Sequence, residues 1–498
     1  MPSTTPAVTP TDVTSVRAAL RSPRVLKTEV LAGLVVALAL IPEAISFSII
    51  AGVDPRVGLF ASFTMAVSIA FLGGRPAMIS AATGAVALVI APVVRDHGLD
   101  YLLATVVLGG LMQVAMGLLG VARLMRFVPR SVMVGFVNSL AILIFMAQLP
   151  QLIDVPWAVY PMVAVGLLVI VLLPRVTTAV PSPLVAIVLL TAVTLLASIN
   201  VPDVGGEGAL PDSLPGFLVP DVPLTLETLQ IIAPYALAMA LVGLMESLMT
   251  AKLVDDVTDT GSDKTREAWG QGAANVITGF FGGMGGCAMI GQTMINVKVS
   301  GARTRLSTFL AGTFLLVLVV VLGDVVALIP MAALVAVMVM VSVATFDWHS
   351  IRPATLRRMP RSELTVMVVT VAVVVWTHNL AIGVVVGVVV AMVMFARRVA
   401  HFTQVVEAEP EGDARVYRVV GELFFASSNE LVDQFDYASG GPRVVIDMSE
   451  SHIWDASTVA TLDAIETKYA ARGTVVEIRG LNDDSTERRD RLRGHLGG

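Results

Sequence analysis

Charge is scarce in this chain. Asp, Glu, Lys and Arg make up 14% of its 498 residues, where a soluble protein carries about 25%. Cysteine is scarcer still. Cys287 stands alone, which excludes an intramolecular disulfide and a cysteine-based metal cluster. No basic run is interleaved with aromatics, so nothing in the sequence suits nucleic acid. There is no glycine-rich phosphate loop, no metal-ligand cluster and no nucleophile–base spacing. These absences argue against an ATP-driven pump, an enzyme and a bound cofactor. The first 27 residues are polar and rich in Pro and Thr. They lack the short apolar core and small-residue cleavage site of a secretory leader, so the first membrane helix is expected to act as the insertion signal.

Apolar sequence fills the chain instead. Hydrophobic residues make up 55% of it, the mean hydropathy is +0.81, and a polytopic helical membrane protein is the reading that fits. A spanning helix needs roughly 20 apolar residues. Dividing the apolar region at charges, prolines and glycines predicts fourteen spans, near 28–49, 55–72, 77–93, 101–121, 131–150, 156–173, 182–199, 230–251, 268–284, 287–298, 306–322, 327–346, 363–377 and 380–396. Loops after even-numbered spans collect the basic residues, among them Arg123, Arg126, Arg130, Arg303 and Arg305, whereas loops after odd-numbered spans hold only Arg56 and Arg95. By the positive-inside rule both termini are cytoplasmic. The acidic segment 200–228, with no lysine or arginine, is then external.

Fourteen spans divide into seven and seven, and an odd number per half inverts the second half relative to the first. Two acids occupy matching places: Glu43 in span 1 and Glu246 in span 8. A charge at the bilayer centre costs about 3 kcal/mol or more, so such residues face a cavity or a partner. Spans 3 (MISAATGAVALVIAP) and 10 (GGMGGCAMIGQTMINVKVSG) also correspond, and both are too polar and too short for ordinary lipid-facing helices. Interrupted helices expose unpaired N–H groups and a positive dipole end. Two of them facing each other make an anion site without a buried cation. The candidate residues are Ser80, Ala81, Ala82, Thr83 and Gly84 in span 3, and Ala288, Met289, Ile290, Gly291, Gln292 and Thr293 in span 10. The small residues let a ligand approach backbone, and Thr83, Gln292 and Thr293 offer side-chain donors. Close helix packing is the competing use of such small residues.

Burial favours the neutral form of a carboxyl group, so Glu43 is expected to exchange a proton and couple anion entry to proton entry. The competing reading is a neutral, structural glutamic acid. Glu246 has three candidate roles: coordinating a cation, supporting span 10 or lining the pathway. Phe47, one turn beyond Glu43, is expected at the same cavity. Asn138, Gln148 and Asn296 are candidates for interhelical hydrogen bonds.

After about residue 405 the composition becomes that of a soluble protein. The predicted organisation is an N-terminal cytoplasmic segment (1–27), a transmembrane domain (28–401), a linker (402–413) and a small α/β domain (414–498). Within the last, ARVYRVVG, RVVIDMS and TVVEIRGL read as strands. A helix places Val459, Leu462, Ile465 and Tyr469 on one face, with Asp455 or Ser457 as its N-cap.

Specific segments resemble a known family. IPEAISFSIIAGVDPRVGLFAS (41–62), VPRSVMVGFVNSLAILIFMAQL (128–149), GSDKTREAWGQGAANVITGFFGGMGG (261–286) and INVKVSGARTRLS (295–307) resemble the sulfate permease family of anion transporters, also called solute carrier family 26. GELFFASSNELVDQF (421–435) and VVIDMSESHIWDAST (444–458) resemble the STAS domain of sulfate transporters and anti-sigma-factor antagonists. The resemblance implies a 7+7 inverted repeat, with spans 1–4 and 8–11 as a core and spans 5–7 and 12–14 as a gate. It further implies a substrate held between spans 3 and 10, elevator-like movement and a homodimer.

Departures from the family pattern refine the expectation. Many members have glutamine where this chain has Glu43, and the acid favours proton-coupled symport of a small anion. Some animal members carry arginine where Thr293 falls. Sodium-coupled bicarbonate members use acidic and hydroxyl residues on spans 8 and 10, which keeps Glu246 and Thr293 as a sodium-site alternative. An anion channel or a STAS-linked sensor are the other readings. Ser457 matches the phosphorylatable serine of the antagonists, although Thr458 follows it where glycine is usual.

Overall fold

A computed structural model describes residues 15–123, 128–177, 181–400, 403–438 and 441–495. Arg126 and the first 14 residues of the Thr/Pro-rich start lie outside the described residues. The chain forms two compact units, one ending at Val388 and the other beginning at Val389.

Each expected span contains a helix. In chain order these are α1 (Pro23–Ala51), α2 (Pro55–Leu72), α3 (Gly84–His97), α4 (Leu99–Leu118), α5 (Arg130–Met146), α6 (Val159–Leu172), α7 (Ser182–Leu196), α8 (Leu226–Thr258), α9 (Lys264–Phe280), α10 (Ile290–Met294), α11 (Arg305–Ala327), α12 (Met331–Thr345), α13 (Arg361–Thr377) and α14 (Leu380–Ala400). Seven of them, α1, α2, α4, α5, α8, α11 and α14, are long and apolar enough to cross a membrane by length and composition. Fewer than fourteen therefore meet the length of a full crossing. Two-residue strands precede α3 and α10: β1 (Ser80–Ala81) and β2 (Cys287–Ala288).

Local sequence sets the helix ends. Pro23 and Pro55 open α1 and α2, where a missing N–H removes no helical bond. Gly52 closes α1 at φ +76°, a left-handed conformation that glycine adopts without strain. Thr225, Asp263 and Thr304 cap α8, α9 and α11, accepting from the N–H groups of Thr228, Arg266 and Leu306.

The helices of the first unit pack as two groups. α1 and α2 pack on α11, α4 packs on α8 and α9, and α3 packs on α1 and α8. In the other group α5 packs on α12 and α13, and α6 on α7 and α12. Gly383 and Gly387 of α14 lie against Thr370 of α13. The grouping matches the expected core and gate, which meet through α1 with α12, α1 with α7, and α3 with α5. A close core seam joins α4 and α9. A Cβ on Gly272 would fall 2.6 Å from the Gly110 carbonyl oxygen, so only glycine permits that approach.

Buried carboxylates brace the two halves against each other. Glu29 on α1, 1% exposed, accepts from the N–H groups of Arg303, Thr304 and Ser307 and from the Thr304 hydroxyl. Reciprocally, Glu267 on α9 accepts from the N–H groups of Gly74 and Arg75. Asn296 bonds Ser307 Oγ of α11, the expected interhelical tie, and also Ala77 O, whereas Asn138 ties α5 to the turn after α12 through Ser350 Oγ and the Asp347 N–H. Gln148 instead donates to Ile144 O within its own turn.

The second unit holds a four-stranded sheet in the order β3 (Gln404–Glu407), β4 (Ala414–Leu423), β5 (Arg443–Ile453), β6 (Val475–Arg479). β3 is antiparallel to β4, and the other pairs are parallel. Residues 402–413, read as a linker, therefore contribute the first strand, because Gln404–Glu407 pair in register with Tyr417–Val420. Three helices follow, α15 (Phe425–Leu431), α16 (Ala456–Ala470) and α17 (Asp483–Leu492). Val459, Leu462, Ile465 and Tyr469 of α16 are fully buried in the core. Asp455, not Ser457, is the N-cap, accepting from the Thr458 N–H at 3.1 Å. Ser457 is exposed in the first turn.

Candidate functional site

The two interrupted segments meet through backbone. β1 and β2 pair antiparallel, with Ser80 opposite Ala288 and Ala81 opposite Cys287. Each strand ends where a helix begins, and the helices differ. α3 runs 14 residues with Thr83 as N-cap, whose hydroxyl accepts from the Val86 N–H at 3.4 Å. α10 has five residues and continues as a π-helical turn, Ile295–Val299. The first turns of both helices leave N–H groups without intrahelical partners. No lysine or arginine occurs between Ala77 and Val94 or between Met284 and Val297, so the positive potential here comes from helix ends.

Glu43 sits on α1, directly after Pro42. It is half-buried, and its Oε1 accepts from Gln292 Nε2 of α10 at 2.8 Å. Gln292 is 2% exposed, and its Oε1 has no hydrogen-bond partner. Phe47, 2% exposed, lies against Gly84. A Cβ on Gly84 would meet the Phe47 ring at 2.9 Å and Ile144 of α5 at 3.1 Å. The N-terminus of α3 thus touches both the core helix carrying Glu43 and a gate helix.

Glu246 on α8 has a different setting. It is buried, and its Oε2 accepts from the Cys287 thiol at 2.9 Å. The same sulfur lies 3.1 Å from Thr83 Oγ1. Next to it, Ser247 Oγ accepts from the Ala288 N–H. Of the roles considered for Glu246, support of the span 10 strand is the one its contacts fit.

Several expected donors are engaged by the scaffold. Thr293 Oγ1 accepts from the Ile79 N–H at 3.0 Å and lies 3.4 Å from Ile79 O. The Met289 N–H donates to Ile79 O, and the Ala82 N–H to Ser62 Oγ. Ser80 Oγ accepts from Gln271 Nε2 at 2.6 Å. Ile290 is half-buried, while Gly291 is exposed and would have open space beside a Cβ.

Sequence reading missed Cys287, Ser247, Gln271 and Asn275 as parts of the site's frame. Asn275 exchanges two bonds with the backbone of Gly286 and donates to Gln113 Oε1. A signal was available: Gln271 and Asn275 are four apart, so they share a helix face, and amides in an apolar helix need partners. At the boundary between the helix groups lies a cavity of 310 Å³, lined by residues that include Ser46, Ile50, Leu88, Gln148, Met331 and Leu334. Ser46 and Ile50 share the Glu43 face of α1.

Comparisons with known proteins agree with this architecture. The sequence profile of the sulfate permease family matches residues 26–161 and 155–370, and that of the STAS domain residues 405–493. YbaR of Bacillus subtilis (strain 168), a protein named for sulfate transport, is 55% identical over 92% of this chain and 95% of its own length. The bicarbonate transporter BicA of Synechocystis is 26% identical over 87% of this chain and 85% of its own. The structure of the transmembrane domain of a cyanobacterial BicA superposes with a TM-score of 0.63 at 25% identity, covering 74% of this chain and 97% of that one. The inward-facing structure of the murine Solute Carrier 26 family member A9 anion transporter gives 0.81 at 16% identity, covering 94% and 87%, a likeness of fold.

Proposed function

Because the chain belongs to the sulfate permease family, we propose that this multi-pass membrane protein is a proton-coupled symporter of a small anion of the sulfate, dicarboxylate or bicarbonate class. The observation that carries the reading is Glu43 bonded to Gln292 in the first turn of an interrupted helix. The anion binds between the N-termini of α3 and α10, held by free N–H groups and helix dipoles. An ionised Glu43 beside that position repels it, and a proton on Glu43 removes the repulsion. Proton and anion then load together.

The site rides on the core helices. The core slides against the gate along α1, α3, α5 and α12, carrying proton and anion across. Both termini lie in the cytoplasm of a bacterial inner membrane, the protein works as a homodimer, and the STAS domain regulates or assembles it. Sodium coupling through Glu246 and Thr293 has less support, because both side chains are engaged, one by Cys287 and the other by Ile79. Contiguous pairing of the two strands and two helix ends suits a closed binding site more than an open channel pore.

Uptake into proteoliposomes tests the proposal. An inward proton gradient, and separately a sodium gradient, is imposed with labelled sulfate, bicarbonate or fumarate. Proton-driven accumulation that collapses in Glu43→Gln is expected. Sodium-driven uptake untouched by that substitution would refute it.

A further inference from the structure

We propose that Gln292 links the charge of Glu43 to anion binding by turning over its side-chain amide when Glu43 gains or loses a proton. The inference rests on the proton-coupled reading above and specifies how the proton is communicated.

The argument begins with an orphaned atom. An ionised carboxylate can only accept hydrogen bonds, so Gln292 must present its NH₂ group, as it does at 2.8 Å. The opposite end of the amide is then Oε1, buried without a donor in a residue only 2% exposed. A buried acceptor without a partner is unfavourable. Protonated Glu43 supplies the missing donor: its O–H can pair with Oε1 once the amide rotates by half a turn. That rotation satisfies the orphan, frees the N–H now held by Glu43 and turns both N–H donors of Gln292 away from it. Gln292 is the third residue of α10, within the turn whose free N–H groups face the anion position. One proton therefore removes a negative charge and adds two donors to the site.

No second charged group stands in Glu43's hydrogen-bonding shell among the described residues. The charged residues on the elements packed against α1 sit toward the ends of those elements: Arg17 and Arg21 on the short helix Val16–Arg21, Arg56 on α2, Arg95, Asp96 and His97 on α3, Arg305 and Asp324 on α11, and Lys298 in the π turn. α7, α10 and α12 carry none. Glu246 is engaged by Cys287, and Glu29, on α1 itself, by the start of α11.

The test compares wild type with Gln292→Met, which keeps length and loses both donor and acceptor, using the full chain in proteoliposomes and whichever of sulfate, fumarate or bicarbonate it accumulates. The readout is the KM ratio, variant over wild type, at two pH values. A switch makes the ratio depend on pH: about tenfold at the acidic value, where the freed donors serve the anion, and near one at the alkaline value, where Glu43 holds them. The same ratio at both pH values overturns the proposal, because a structural or permanently anion-bound glutamine behaves that way. Gln292→Asn, one methylene shorter, gives the same pattern and serves if the Met variant does not fold. Failure of the underlying reading is separate: proton-driven uptake that survives Glu43→Gln removes proton coupling itself, whereas uptake that collapses in Glu43→Gln with a pH-independent KM ratio removes only the switch.

Discussion

The two halves of the membrane unit are alike in backbone and unlike in side-chain chemistry. Each half has a long first helix bearing an acid, and each has a two-residue strand before an interrupted helix. Glu29 of the first half caps the start of α11 in the second, while Glu267 of the second binds the N–H groups before β1 in the first. The acids then diverge. Glu43 is half-buried and reaches across to an amide of the other half. Glu246 is buried and tied to a thiol of its own half. The interrupted helices diverge too, 14 residues with a side-chain cap against five and a π turn. Symmetry serves to build the frame, and departures from it single out the Glu43–Gln292 pair on which the proposed coupling rests.

Substitutions can break or sharpen this comparison. The largest effect is expected from Gly286→Ala, whose Cβ would lie 1.9 Å from the Ala81 carbonyl oxygen. Backbone cannot yield there without parting β1 from β2, and a loss of about 3 kcal/mol or more should abolish folded, monodisperse protein in size-exclusion chromatography. Glu29→Ala comes next. It leaves the N–H groups of Arg303, Thr304 and Ser307 without their acceptor, which should lower stability by about 2–3 kcal/mol in thermal unfolding. It should exceed the effect of Glu267→Ala; the reverse order would show that the cross-bracing is not led from the first half.

Gly84→Ala is the counterpart test near the other strand. Its Cβ meets Phe47 and Ile144 side chains rather than backbone, so about 1–2 kcal/mol is expected. A variant as damaging as Gly286→Ala would undo the contrast between the halves. Cys287→Ala removes the donor to Glu246 and should cost about 1 kcal/mol with slower uptake, while Cys287→Ser restores most of both. Smallest of all is Gly291→Ala, with nothing within 4 Å of the new Cβ. Stability should move by less than about 0.5 kcal/mol, so any rise in KM would report the anion side of α10 alone.

Much of this was legible in the sequence. Hydropathy located α1 to α14, because apolar length needs no tertiary information, whereas α15 and α17 carried no such signal and were missed. Small residues and the two acids located both interrupted segments. The alternation in ARVYRVVG and the helical face of Val459, Leu462, Ile465 and Tyr469 gave the second unit. Partner choice was not legible. Nothing local distinguishes Thr293, engaged by Ile79, from Gln292, engaged by Glu43. Those bonds join residues more than 200 apart, and only the fold brings them together. β3 escaped notice for a similar reason. It is a short strand, and its pairing with β4 depends on the hairpin closing.

The pairing of Ser80 with Ala288 and of Ala81 with Cys287 is made by main-chain groups. Part of what holds the two segments together is therefore written in atoms that every residue except proline shares, beside the side-chain ties of Thr83 to Cys287 and of Thr293 to Ile79. Side chains that do not crowd the strands, as a Cβ at Gly286 would, can change without removing those main-chain bonds. A frame tied in this way leaves room for side-chain replacement around it while the strand pairing stays.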